Sequence, residues 1–136
     1  MLQASARPPA HRTAGFWMAA IVAVFLVVNT VRSFIAPETF AGYFGAPLGS
    51  AGDTAWVIVY ALRTGLIAAI ILLLLATRQL RLLAWVSLFG AVLPVGDFIL
   101  AQSAGAAMST LIRHGAIGAF LLITAWRLFA YGPNTR

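Results

Sequence analysis

Apolar residues in this chain run in four long blocks, and the polar residues gather in the short stretches between them. The blocks cover residues 15–35, 54–76, 81–102 and 109–130. Each meets the roughly 20 apolar residues that carry a helix across the hydrocarbon core of a bilayer. A water-soluble helix is apolar along one stripe, whereas here the apolar residues surround each segment, as expected where the solvent itself is apolar. Hydrocarbon offers no water to the backbone, so such segments must be helices that satisfy their own N–H and C=O groups. The first block is longer than a signal-peptide core and has no small-residue cleavage site close behind it, so it reads as a retained helix.

The stretches between the blocks complete the outline. Residues 1–14 carry Arg7, Pro8, Pro9, His11 and Arg12 and read as a polar tail. Residues 36–53 are rich in Pro and Gly and interleave Phe40, Tyr43 and Phe44, which predicts a loop with aromatic rings resting at the membrane interface. The connection Thr77-Arg78-Gln79-Leu80 is so short that the second and third helices must form an antiparallel hairpin. Residues 103–108 make the next turn, and Tyr131, Gly132 and Pro133 stop the last helix, leaving 132–136 as a second tail. The predicted fold is all-α: one domain over residues 15–131, a four-transmembrane-helix antiparallel bundle running up-down-up-down.

Composition supports this outline. Of 136 residues, 62% are apolar and 9% charged, against about 45–50% and about 25% in ordinary soluble domains. There is no Cys, which removes disulfides, thiolate ligands and thiol nucleophiles, and two histidines are too few for a His-rich metal site. No cofactor is expected. The net charge of +6 does not indicate nucleic acid, because the nine basic residues are arginines scattered along the chain rather than set in a stripe. Their placement instead sets orientation. Arg7 and Arg12 lie in the first tail, Arg78 and Arg81 at the middle connection, and Arg127 and Arg136 at the C-terminal end, whereas 36–53 and 103–108 hold none. The positive-inside rule puts both termini and the middle connection in the cytoplasm of a multi-pass plasma (inner) membrane protein. Trp17, Trp85 and Trp126 then fall near the cytoplasmic interface and Trp56 near the outer one.

That topology brings the polar residues of the blocks together. Arg32, Arg63, Asp97, Arg113 and His114 all fall in the outer half of the bilayer, with Glu38 in the loop above them. A charged side chain near a helix centre costs roughly 2.5–3.5 kcal/mol on insertion scales and faces the bundle interior beside a partner. Asp97 is the only acid within a block, so its expected partner is Arg63, Arg113 or both. Tyr60 stands three residues before Arg63 and Asn29 three before Arg32, each pair on one helix face. Pro94 and Gly96 flank the approach to Asp97, where a proline frees a backbone carbonyl and opens space. Gly115, Gly118 and Ala119 give the last helix a small face suited to close packing.

At Tyr43-Phe44-Gly45-Ala46-Pro47, Tyr60 to Gly65, Leu93-Pro94-Val95-Gly96-Asp97 and His114-Gly115 the chain resembles a family of small four-helix bacterial membrane proteins known only as a domain of unknown function. The resemblance covers most of the chain from the first helix onward. It implies a four-helix bundle and no established activity. Relatives often carry an acid directly after the second-helix arginine where this chain has Thr64, a departure that makes Asp97 the main expected partner of Arg63.

Three functional readings follow. In the first, the protein binds or transforms a lipophilic small molecule such as an isoprenoid or sterol-like compound. Asp97 and His114 would be the proton-transfer groups, and Arg63, Arg113, Tyr60, Arg32 and Glu38 the ligand-binding ones. In the second it is an accessory subunit of a larger membrane complex, with membrane lipids and that complex as its partners. A small exporter acting as a dimer fits the size but not the residues, since such exporters depend on an acid within the first helix, where this chain offers only Asn29. No nucleotide-binding loop, metal-ligand spacing or catalytic triad singles out a reaction.

Overall fold

In the computed structural model, which describes residues 13–50 and 53–131, every regular element is a helix. These are α1 (Ala14–Ile35), α2 (Pro37–Phe44), α3 (Thr54–Ala76), α4 (Leu80–Gly90), α5 (Val92–Ser103) and α6 (Met108–Tyr131). Helices α1, α3 and α6, together with α4 and α5 taken as one span, are 22 to 24 residues long and apolar enough to cross a membrane. At about 1.5 Å per residue they reach roughly 33–36 Å, slightly more than a hydrocarbon core of about 30 Å. The chain is therefore a multi-pass membrane protein. The first tail with Arg7, His11 and Arg12, and the second with Gly132, Pro133 and Arg136, lie outside the described residues.

Local chemistry sets the helix ends. Thr13 caps α1 by accepting from the Phe16 N–H at 3.3 Å. Pro37, whose missing N–H is no loss at a first helical position, starts α2 immediately afterwards. Gly45 closes α2 with φ 99°, and the N–H groups of Gly45 and Ala46 return to the Gly42 and Ala41 carbonyls. A Cβ at Gly45 would sit 2.8 Å from both Ala106 Cβ and Thr110 Cγ2, so glycine is required there by space as well as by backbone angle. Between α2 and α3 the Asp53 carboxylate accepts the Gly49 and Ser50 N–H groups at 3.0 and 2.8 Å. Arg78, in the left-handed region with φ 56°, turns the chain from α3 into α4.

Two apolar clusters hold the bundle. One lies toward the α3–α4 connection and joins Ala19 and Ala23 of α1, Ile71, Leu74 and Leu75 of α3, Leu83 and Ala84 of α4, and Leu121 and Leu128 of α6. The other lies at the opposite end, where Phe40, Ala41 and Phe44 of α2 pack with Val57 of α3. The close approach of α1 and α3 depends on Gly65, where a Cβ would lie 3.1 Å from Thr30 Cγ2. Hydroxyls within the spans are satisfied by their own helices: Thr30, Ser33, Ser87 and Thr124 each donate to the carbonyl four residues back.

Two expectations are corrected. The stretch 36–53 is not simply a loop with rings at the interface: it contains α2, and Phe40 and Phe44 are buried beneath it. The third span is not one continuous helix, because it breaks at Ala91 between α4 and α5. The break follows from Pro94, which has no N–H to return to the Gly90 carbonyl four residues earlier. It also redirects the span. Helix α4 packs on α3 and α6, whereas α5 packs on α6 and has no extended packing with α3.

Candidate functional site

The separation of α5 from α3 leaves a cavity of about 350 Å³ inside the bundle, walled by α1, α3, α4, α5 and α6 and closed at one end by α2. Its walls change character along their length. Toward the α3–α4 connection they are Ile21, Val22, Phe25, Leu26, Ile67, Ile71, Val86, Phe120 and Leu121. Toward α2 they are Asn29, Tyr43, Tyr60, Arg63, Thr64, Asp97, Arg113 and His114. From Arg63 to Ile71 on α3 is eight residues, about 12 Å at 1.5 Å per residue, so the cavity is elongated along the bundle.

Each polar group has a specific setting. Arg63 Nη2 donates to Asp97 Oδ1 at 3.1 Å, and the two side chains are 40% and 16% exposed. This pair crosses between α3 and α5 where the helices themselves do not pack. The second carboxylate oxygen, Oδ2, has no hydrogen-bond partner among the described residues. The Tyr60 ring supports the pair, with the Arg63 guanidinium carbon 5.1 Å from its centroid and Phe40 and Phe44 against it at 4.9 and 5.4 Å.

Arg113 and His114 have a different task. Arg113 Nη2 donates to the Tyr43 carbonyl, and His114 Nε2 lies 3.0 Å from the Phe44 carbonyl. These are the last two carbonyls of α2, at the end of a helix where carbonyls have no intrahelical partner and partial negative charge accumulates. Adjacent residues of α6 thus cap α2. A carbonyl only accepts, so His114 Nε2 is the donor of this bond. The His114 ring is buried edge-on against Phe44 at 5.0 Å. Arg113 also stacks on the Tyr43 ring, 3.7 Å from its centroid, and Arg32 reaches the same ring at 4.7 Å.

The structure thus brings Asp97, His114, Arg63, Arg113 and Tyr60 into the lining of one cavity, from α3, α5 and α6. Arg32 and Glu38 do not line the cavity: Arg32 is exposed beside Tyr43, and Glu38 is exposed in the first turn of α2. Asp97 pairs with Arg63 alone, because the Arg113 guanidinium is drawn to the α2 carbonyl. Of the small residues in α6, a Cβ at Gly118 would lie 3.6 Å from Pro94 Cβ, while a Cβ at Gly115 would meet nothing within 4 Å. Sequence reasoning missed Tyr43 and Thr64 as cavity residues. The detectable signal for Tyr43 was a helix-length segment bounded by Pro37 and Gly45, which places Phe40 and Phe44 on one face and Tyr43 beside them.

Asn29 stands apart from the other polar residues of the spans. It is 3% exposed, and its side-chain amide has no hydrogen bond among the described residues. No fully enclosed side-chain nitrogen or oxygen lacks a partner among those residues, so the amide opens onto the cavity it lines.

A family model described as Domain of unknown function (DUF4267) matches residues 23–128, which include every cavity residue named here except Ile21 and Val22. No curated protein and no solved structure matches the chain.

Proposed function

The chain belongs to the DUF4267 family, a domain of unknown function, and we propose that it binds a lipophilic small molecule within its membrane-spanning bundle. The observation that carries this reading is the graded wall of the cavity, aliphatic and aromatic over most of its length and polar at the α2 end. Ligand sites combine such apolar walls with a few convergent polar groups, at volumes of about 300–1,000 Å³. The apolar body of the molecule lies among Leu26, Ile67, Ile71 and Phe120, and its oxygen-bearing end meets Arg63 and Asp97. Entry is lateral, from the bilayer between α3 and α5, because no aqueous route is needed for an apolar solute. Asp97 and His114 are the proton-exchanging groups of this site, with Arg63 orienting Asp97. The arginines at 78 and 81, and their absence from 36–53 and 103–108, support an orientation with cytoplasmic termini.

Native mass spectrometry of the protein extracted with its surrounding lipid tests the reading. Wild type is expected to retain a specific small molecule, and Asp97→Asn to lose it. Gly90→Leu supplies a second arm: Gly90 lines the cavity, and a Cβ there meets nothing within 4 Å, so a side chain at this position starts in open space. Retention is expected to fall about ten-fold or more in Gly90→Leu with the melting temperature unchanged or raised. Equal retention in all three proteins, or none in wild type beside a stoichiometric protein partner, would reject the proposal in favour of a subunit role.

A further inference from the structure

Resting on the reading above, we infer that the molecule held by this cavity has an uncharged, hydroxyl-bearing headgroup, recognised by the Asn29 amide together with the Asp97 carboxylate.

Three observations carry this. The first is that the charges at the polar end are already engaged. Arg63 is paired with Asp97, and Arg113 is committed to the Tyr43 carbonyl and ring at the negative end of α2. Each of these two guanidinium groups is thus already held by an acceptor, and the Asp97 carboxylate would repel an anionic headgroup seated against it.

The second is the set of unfilled positions. Asp97 Oδ2 is an acceptor without a donor among the described residues, and the Asn29 amide is both donor and acceptor without partners there. An ionised acid or a ketone only accepts and so offers no proton to Oδ2. A single hydroxyl gives its one proton to Asp97 Oδ2 and takes one from the Asn29 amide.

The third is that Asn29 is an exception within its own helix. Thr30 and Ser33 close their hydrogen bonds locally, on the Leu26 and Asn29 carbonyls, while the Asn29 side chain stays 97% buried and unpaired at the cavity wall. A polar side chain held in that state is a recognition group awaiting a partner, because a hydrophobic residue of similar size would pack there without an unpaired amide.

The test uses full-length protein in lipid nanodiscs and four probes with one tail: dodecan-1-ol, dodecanoate at alkaline pH, dodecyl phosphate and dodecane. Binding is measured above that of empty nanodiscs. The alcohol is expected to bind about ten-fold or more tightly than the other three, and Asn29→Leu to reduce that preference to near parity. Tighter binding of dodecanoate or dodecyl phosphate than of the alcohol would overturn the headgroup assignment and leave the cavity reading standing. If no probe binds above the empty discs, and Gly90→Leu behaves as wild type, both fail. The comparison among probes is made on wild type, so it stands even if Asn29→Leu does not fold.

Discussion

At the residue scale, the pairing of Arg113 and His114 with the end of α2 decides what each side chain is free to do. His114→Ala removes the donor to the Phe44 carbonyl while leaving the carbonyl buried. The cost expected for an orphaned buried acceptor is roughly 1–3 kcal/mol. Hydrogen exchange should report it locally, with faster exchange in α2 and unchanged protection in the apolar cluster around Leu83 and Leu128. Uniform loss of protection would mean that His114 holds the bundle rather than the short helix. Gly45→Ala carries a different penalty. Its left-handed backbone alone costs a non-glycine residue about 1–2 kcal/mol, and the methyl group would also meet Ala106 and Thr110 at 2.8 Å. A clear fall in melting temperature is the expected outcome, and an unchanged value would contradict the close contact.

At the element scale, the broken third span is the source of the cavity. Pro94→Ala supplies the N–H that Gly90 lacks, and the expected result is a straighter span that closes on α3. Thermal stability should rise, since an interior proline costs a helix about 3 kcal/mol or more in soluble hosts. Ligand retention should fall together with the space. A variant that gained stability and kept its ligand would separate the break from the site. The proline and its consequence were legible in the sequence, as were the spans, because twenty apolar residues in lipid have one backbone solution. The pairing of Asp97 with Arg63 was legible too, since the only acid in the blocks needs a cation at its depth. The role of α2 was hidden. The eight residues from Pro37 to Phe44, followed by Gly45, look like loop punctuation until Phe40 and Phe44 are seen to bury one face. Nor does any periodicity reveal that Arg113 belongs to a carbonyl and not to Asp97, because backbone acceptors leave no mark in a side-chain pattern.

At the scale of the whole molecule, the absence of cysteine makes orientation directly measurable. Single cysteines placed by Gln79→Cys at the α3–α4 connection and by Ser50→Cys before α3 should react with a membrane-impermeant maleimide from opposite sides. With cytoplasmic termini, intact cells label Ser50→Cys and spare Gln79→Cys until they are permeabilised. Labelling of both from outside would dismiss the membrane-spanning arrangement of α3.

The bonds from Arg113 and His114 to Tyr43 and Phe44 join positions 70 residues apart. During synthesis α2 emerges long before α6 exists, and until then its final carbonyls have only interfacial water as partners. The earlier spans are therefore delivered to the membrane with one end of the bundle still open. Arrival of the last span is the step that caps the end of α2, already packed on α1 and α3, and completes the cavity wall. A chain truncated ahead of Arg113 should still insert its earlier spans, yet be unable to close around anything.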